Sequence, residues 1–144
     1  MATVKKFEDL EIWQTARILC QIVDRITEGI QYKKNYGLKY QMQDSSGSAM
    51  DNIAEGFGRA GKYEFRQFLS VSNGSVSEIK SQLYRSLDQK LISESEFSEG
   101  FELADKLSNK IGSFINYLIN TDIKGEKFRV DNVSAKVKHS TSNV

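Results

Sequence analysis

Apolar residues recur at spacings of three and four along four successive stretches of this chain, and no proline interrupts any of them. This spacing is typical of amphipathic helices, which turn one apolar stripe toward a core. Proline breaks helices because it lacks an amide hydrogen and clashes with the preceding turn. A chain without proline can therefore carry long helices joined by short turns, and the pattern predicts an all-α protein.

Capping signals and a glycine cluster delimit the four predicted helices. Asp9 is a residue type that often caps the start of a helix. Ser93 and Glu96 have the spacing of a capping box, in which each side chain accepts a hydrogen bond from the backbone amide of the other residue. The glycines between 56 and 61 predict a tight turn. The predicted helices span about 9–28, 38–57, 62–90 and 93–120.

Helices with short connections predict the overall architecture. Four amphipathic helices of this kind pack in antiparallel, up-down-up-down order, so we expect a four-helix bundle over residues 1–120. The helical periodicity stops beyond Thr121. Residues 121–144 carry five Lys or Arg against three Asp or Glu, and they are predicted to form a polar, mildly basic, disordered tail.

Charge and hydropathy narrow the possible surroundings of the protein. The formal net charge is +1, so bulk charge indicates neither a nucleic acid nor a membrane as partner. No apolar run approaches the roughly 20 residues that a membrane-spanning helix needs. Cys20 has no second cysteine with which to form a disulfide, which favours a reducing compartment. We therefore expect a cytoplasmic protein without membrane association.

Residues suited to catalysis are sparse in the predicted bundle. Cys20 falls on the core face of the first helix, and a cysteine nucleophile usually needs a histidine base. The one histidine, His139, lies in the tail. We expect no catalytic residue, no metal and no cofactor. The competing class is a metal-carboxylate enzyme built in the bundle core, although di-iron bundles use Glu-x-x-His motifs that this sequence lacks.

Four polar residues fall near the inner faces of the two middle helices, and these are Asn52, Glu55, Ser75 and Glu78. The two carboxylates could form a metal or acid–base site. Buried polar groups need partners, however, and a hydrogen-bonded network can fix the packing of helices. We favour a structural polar network, with Arg59 as its counter-charge.

One flank of the third predicted helix carries cationic and aromatic residues. At 100° per residue this flank collects Lys62, Arg66, Lys80 and Tyr84, and Arg59 precedes the helix. A basic line with an aromatic ring could follow a phosphate backbone, which makes these five residues candidates for binding nucleic acid. The alternative is an ordinary solvated helix face.

Ile18 and Ile22 lie one turn apart on the first helix and point away from its main apolar stripe. Scattered apolar residues are normal on protein surfaces. The alternative is an interface between subunits, so both isoleucines are candidates for an oligomer interface.

Several strings in this sequence resemble those of a known family. They are residues 7–16 (FEDLEIWQTA), residues 36–38 (YGL) followed by Gln41, residues 52–56 (NIAEG), and Phe65, Phe68, Leu69, Gly74, Ser75 and Glu78. Together they resemble the intervening-sequence (S23-type) proteins, four-helix bundles first noted in reading frames inside bacterial 23S rRNA insertions. The resemblance covers roughly residues 5–120.

The resemblance implies a bundle that assembles into a ring-like homopentamer, and it implies little about activity. A related branch, the accessory variability protein of diversity-generating retroelements, binds a reverse transcriptase and nucleic acid through basic surfaces. Many relatives carry two arginines where this chain has Gln43 and Asp44. Those two positive charges are therefore missing here.

The combined hypothesis is a non-catalytic, homo-oligomeric helical module. Its expected partners are other copies of itself and RNA, DNA or a nucleic-acid-processing protein. A purely structural or protein-interaction scaffold is the alternative.

Overall fold

The computed structural model of the protein describes residues 4–121 and consists of four α-helices with short connections. Short 3₁₀ turns at Phe7–Asp9 and Ile30–Lys34 precede the first and second helices. Numbered in chain order, the helices are α1 Glu11–Thr27, α2 Tyr36–Gly58, α3 Lys62–Asp88 and α4 Glu94–Ile119.

Cross-helix hydrogen bonds show that successive helices run in opposite directions. The Ser72 hydroxyl of α3 donates to the carbonyl oxygen of Ala49 at 2.7 Å, and the Gln82 amide donates to the Ser45 hydroxyl at 3.0 Å. Later positions on α3 thus meet earlier positions on α2. Because α4 packs against both α3 and α1, the bundle closes, and the predicted all-α, up-down-up-down four-helix bundle is confirmed. Residues 122–144 of the predicted tail lie outside the described residues.

One continuous apolar core holds the bundle together. Its largest fully buried side chains include Tyr32 from the first connection, Phe65 from α3 and Phe114 from α4. The Phe65 and Phe114 rings meet edge to face, with centroids 5.3 Å apart. Aromatic pairs in this arrangement add to the free energy gained from burial alone.

The start of α4 follows the predicted capping box. The Glu96 amide donates to the Ser93 hydroxyl at 3.0 Å, and the Ser93 amide donates to the Glu96 carboxylate at 2.9 Å. The predicted cap of the first helix is wrong. Asp9 belongs to the preceding 3₁₀ turn, and α1 begins after Leu10, which makes no side-chain capping bond.

The glycine cluster between α2 and α3 differs from the predicted turn. Helix α2 continues through Gly56 to Gly58, and the turn itself has Ala60 at φ 62°, a left-handed conformation. Gly56 is buried inside the helix. A β-carbon built there would lie 2.6 Å from Cβ of Phe68, so this glycine permits close packing of α2 on α3.

Because the helices alternate in direction, the three connections divide between the two ends of the bundle. The α1–α2 and α3–α4 connections lie at one end, which we call the lysine end after its residues Lys33, Lys34 and Lys39. The α2–α3 connection lies at the other, which we call the aromatic end after Phe57, Phe65 and Phe114.

Candidate functional site

Two members of the predicted polar network, Asn52 and Ser75, are joined through a third residue. The Asn52 amide donates to the carbonyl oxygen of Ser48 at 2.8 Å and to its hydroxyl at 3.1 Å. The Ser48 and Ser75 hydroxyls are 2.8 Å apart. This chain of bonds ties α2 to α3. Ser48 was not among the predicted members, because its hydroxyl gives no periodic signal.

The two carboxylates predicted for that network lie outside it. Glu55 and Glu78 are exposed, and Glu55 forms an ion pair of 2.8 Å with Arg59 one turn later. Exposure avoids the large cost of desolvating a carboxylate. Arg59 is therefore the counter-charge of Glu55, as expected, but on the surface. Among residues 4–121 no group of three or more His, Cys, Asp or Glu side chains is placed to hold a metal ion.

The cations predicted to form a basic flank along α3 are already engaged within the bundle. The Lys62 ammonium donates to the carbonyl oxygen of Thr121. The Lys80 ammonium lies 2.8 Å from the Asp105 carboxylate and 5.1 Å from the centroid of the Phe101 ring. A cation that is neutralised or stacked inside the protein contributes less to phosphate binding.

The other three candidates of that flank also have intramolecular contacts. The guanidinium of Arg66 lies 5.4 Å from the Tyr63 ring centroid, and that of Arg59 lies 5.4 Å from the Phe68 ring centroid. The candidate aromatic residue Tyr84 packs against the Phe97 and Phe101 rings of α4. The flank thus contributes to the contact between α3 and its neighbours. Nucleic-acid binding by these five residues stays a prediction.

A second cationic surface, at the lysine end, was not predicted. Residues 29–43 contain three lysines and no acidic residue. Lys33 and Lys34 are exposed, Lys39 is half-buried, and none of the three forms an ion pair with another described residue. The sequence does indicate this surface, because residues 29–43 combine three lysines and three tyrosines without an acidic residue. The net charge of the whole chain, +1, does not reveal such a local excess of positive charge.

Two tyrosines of α2 complete this surface. Tyr36 and Tyr40 are 49% and 56% exposed, respectively. Their rings are stacked with centroids 6.3 Å apart and planes inclined by 23°. We call Lys33, Lys34, Tyr36, Lys39 and Tyr40 the lysine–tyrosine patch. It combines positive charge with two adjacent aromatic rings open to solvent.

The backbone beneath the patch is anchored to α3. Tyr32 is buried, and its hydroxyl donates to the Ser86 hydroxyl at 2.8 Å, while burial raises the pKa of its phenol. The Asn35 side chain accepts from the Leu38 amide at 3.0 Å, which caps α2, and donates to the Gln89 side chain at 2.9 Å. These bonds hold the connection in one conformation.

A small cleft brings parts of the patch together. Its volume is about 100 Å³, and it is lined by Thr27, Glu28, Gly29, Ile30, Tyr32, Lys33, Tyr36 and Lys39. The cleft has room for a few water molecules, each of which takes about 30 Å³ in the liquid. Glu28 is the acidic residue of its lining. A larger ligand would therefore lie across the surface of the patch and not inside it.

The two isoleucines predicted for an oligomer interface differ in exposure. Ile18 is 49% exposed, whereas Ile22 is half-buried and packs against the core. A surface cleft of about 450 Å³ lies beside Ile18, lined by Glu8, Trp13, Gln14, Arg17, Ile18 and Gln21. Of the two isoleucines, Ile18 is therefore the one available for contact with another subunit, together with the cleft beside it.

Cys20 lies between α1 and α2. Its thiol donates to the carbonyl oxygen of Ser46 at 3.1 Å. Burial, the largest influence, raises its pKa, and the described residues contain no histidine that could deprotonate it. A thiol held in its protonated form is a poor nucleophile.

The fold and these surfaces define a helical bundle whose core is mainly apolar and whose charged groups lie mostly on its outside, although Lys110 is buried and paired with Glu11. None of the helices in residues 4–121 is both long and apolar enough to cross a bilayer. The profile of the 23S rRNA-intervening sequence protein family matches residues 8–113, well over half of the chain, and the protein belongs to this family. The resemblance to the intervening-sequence family is thus confirmed, while the relation to the accessory variability protein stays a prediction. A comparison with curated proteins gives no match.

Proposed function

We propose that this protein is a non-catalytic, self-associating helical module that binds nucleic acid through the lysine–tyrosine patch. The observation that carries the proposal is the set of three lysines, Lys33, Lys34 and Lys39, which form no ion pair among residues 4–121 and belong to a run, residues 29–43, without an acidic residue. Glu28 lines the same cleft as Lys33 and Lys39 but is not paired with them. Lysines that are not engaged within the protein can contact phosphates and release counterions from a nucleic acid.

The family to which the chain belongs supports a nucleic acid as partner. Its description names an intervening sequence of 23S rRNA, and this mention of RNA is what favours a nucleic acid over other partners. The lysine–tyrosine patch is a defined surface on which such a partner could bind. Anchoring of the patch by Tyr32 and Asn35 means that little backbone conformational entropy is lost when a ligand binds.

The proposal that the protein is non-catalytic rests on the surroundings of its cysteine and of two carboxylates. The Cys20 thiol has a raised pKa. The carboxylates of Glu55 and Glu78 point outward from the bundle, and Glu55 is paired with Arg59. Nucleophilic catalysis needs an activated nucleophile and a base within reach, and neither side-chain arrangement supplies one.

A monomer with three such lysines would bind weakly, and self-association would strengthen the binding. Linked copies of a weak site raise the effective concentration of the second and later contacts. Ile18 offers an apolar contact outside the core of one chain. The family resemblance implies a homopentamer, in which this surface would meet a different surface of the neighbouring subunit, as cyclic symmetry requires.

The binding experiment compares wild type with a variant that carries Lys33→Ala, Lys34→Ala and Lys39→Ala. Fluorescence anisotropy with a labelled single-stranded RNA is measured across a series of salt concentrations. Three phosphate contacts on a single strand contribute about 2 units to the slope of log K against log salt. We expect the variant to bind more weakly at low salt and to lose about that much of the slope.

The matched control removes the same number of charges elsewhere. Lys5, Lys6 and Lys106 are exposed, and their replacement by alanine changes the net charge equally. The control should keep the wild-type slope to within a fraction of a unit if binding is local to the patch. Equal losses in both variants, or a wild type that binds no nucleic acid, would contradict the proposal.

Self-association is tested by native mass spectrometry on wild type and Ile18→Glu. This single change is cleaner than one at Ile22, whose contact with the core would confound the result. Val71→Glu is the matched control, since Val71 is a similarly exposed apolar residue on α3. We expect Ile18→Glu alone to dissociate the assembly. A monomeric wild type would remove self-association from the proposal.

A further inference from the structure

Resting on the proposed function, we infer that the lysine–tyrosine patch recognises unpaired bases, so that its ligand is a single-stranded nucleic acid and not a duplex. Tyr36 and Tyr40 would stack on bases while Lys33, Lys34 and Lys39 contact the adjacent phosphates. Lysines alone would not distinguish a single strand from a duplex, because both have phosphates. The exposed tyrosine pair is the observation that favours a single strand.

The tyrosine rings are not needed for folding. Tyr36 and Tyr40 are about half exposed and are not part of the apolar core. The nearby Tyr32, by contrast, is 1% exposed and hydrogen-bonded to Ser86. The lysine end therefore uses one tyrosine to fix its backbone and leaves two open to solvent.

The relative placement of the two exposed rings suits base stacking. They stand one helical turn apart on α2, with planes inclined by only 23°, and each is about half exposed. The bases of a duplex are stacked on one another, so their faces are closed to a protein side chain. Unpaired bases have free faces, and proteins bind them by stacking on tyrosine and other aromatic rings.

Two of the lysines lie beside one of the exposed rings. Lys33, Tyr36 and Lys39 line the same cleft, so positive charge and ring faces are adjacent. An aromatic ring flanked by cations is the combination that single-strand binding proteins use without strong sequence preference. The patch is therefore suited to a backbone and its bases together.

Acidic residues limit the size of this platform. Asp44 is exposed one turn beyond Tyr40, and Asp51 is exposed two turns further along α2. Their charge would repel a phosphate backbone that continued along the helix. Each subunit would therefore hold roughly four nucleotides or fewer, the low end of the site sizes seen for single-strand binding modules.

The test uses the full-length protein and three labelled probes: a short oligouridine, the corresponding oligodeoxyuridine and a short RNA duplex. Wild type is compared with Tyr36→Leu/Tyr40→Leu, which keeps apolar bulk and every charge but removes both aromatic planes. We expect wild type to bind the single strands more tightly than the duplex. The double variant should lose at least about tenfold in affinity for single strands, since stacking contributes roughly five- to a hundredfold per base, with duplex affinity and salt slope unchanged.

The matched control is Tyr63→Leu, which removes an exposed tyrosine of α3 outside the patch. It should retain the preference for single strands. Thermal melts verify that all variants are folded, as expected for exposed positions. Tighter binding of either or both single strands than of the duplex, lost in the patch variant and kept in the control, supports the inference. The two single-stranded probes then show whether the 2′-hydroxyl matters.

Two outcomes would overturn the inference and leave the proposed function intact. One is equal affinity for duplex and single strand that depends on the lysines and not on the tyrosines. The other is an equal loss of single-strand affinity in the control and the patch variant. Failure of the wild type to bind any probe would instead overturn the proposed function itself, so the two failures are distinguishable.

Discussion

The two ends of the bundle carry comparable residue types but use them differently. At the aromatic end, the Arg59 side chain is paired with Glu55 and placed over Phe68, and Lys62 donates to a backbone carbonyl. At the lysine end, Lys33 and Lys34 extend into solvent without an ion pair to any described residue. Arg25, also at the lysine end, is paired with Glu99, so the contrast concerns these particular lysines, which are free to contact a ligand.

The aromatic side chains show the same contrast. The Phe57, Phe65 and Phe114 rings contact one another in the core, with successive centroids 5.9 and 5.3 Å apart. Tyr36 and Tyr40 contact each other on the surface. Residue type alone therefore does not distinguish a structural cluster from a binding surface. Burial and the presence of intramolecular partners do.

The largest expected effect is a loss of stability at the aromatic end, where the aromatic rings form part of the core. Phe65 is 1% exposed, and Phe65→Ala should lower the free energy of unfolding by about 3–5 kcal/mol because it leaves a cavity in the core. Urea denaturation followed by circular dichroism measures this change. Tyr63→Ala is the matched control, since Tyr63 is exposed two residues earlier and should change stability by less than about 0.5 kcal/mol. Similar effects of the two changes would break the comparison.

A smaller effect is expected at Gly56. The β-carbon of Gly56→Ala would lie 2.6 Å from Cβ of Phe68, so α2 and α3 must shift apart. Overpacking of this kind costs roughly 1–3 kcal/mol, which a thermal melt resolves. Nucleic-acid affinity should fall only as far as unfolding accounts for, because the change is remote from the lysine end.

Gly47→Ala is the control for Gly56→Ala within the same helix. A β-carbon at Gly47 would have no heavy atom within 4 Å, and alanine is favoured over glycine in a helix by about 1 kcal/mol. The control should therefore raise the melting temperature. If both substitutions stabilise the protein, the close contact between Gly56 and Phe68 is not a packing constraint.

Periodicity in the sequence predicts most of the fold and little of the site, for physical reasons. Helical spacing identifies the apolar stripes, and the pairing of Ser93 with Glu96 is a local interaction that spacing alone reveals. A glycine such as Gly56 either ends a helix or admits a neighbouring one. Which of these occurs depends on the packing partner, Phe68, which lies beyond the turn.

The carboxylates show a different source of error. At 100° per residue Glu55 lies roughly 140° from the centre of the buried stripe of α2, so helical periodicity itself places it on the outside, where it pairs with Arg59. The prediction of an inward-facing Glu55 is therefore an error of helical phase. Lys33 and Lys34 of the lysine–tyrosine patch lie on the 3₁₀ turn Ile30–Lys34, which the α-helical period of 3.6 residues does not predict. The one signal of the patch in the sequence is the acid-free run over residues 29–43.

The smallest expected effect links stability with binding at the lysine end. Asn35 caps α2 through the Leu38 amide and donates to Gln89. Asn35→Ala should lower the free energy of unfolding by about 1 kcal/mol, the usual cost of losing a cap, and should also weaken nucleic-acid binding, because the backbone that carries Lys33 and Lys34 loses two of its anchors. Urea denaturation and anisotropy at low salt measure the two effects.

Asn35→Ser separates the two contributions of this side chain. Serine is also a good N-cap, so stability should return to within a few tenths of a kcal/mol of wild type, but its shorter side chain does not reproduce the amide bond to Gln89. If capping alone orders the patch, the serine variant recovers both stability and affinity. If the link to α3 is also required, it recovers stability and remains weaker in binding. Unchanged affinity in Asn35→Ala would show that the patch does not depend on its anchoring, and preorganisation would then have no part in how the lysine end binds nucleic acid.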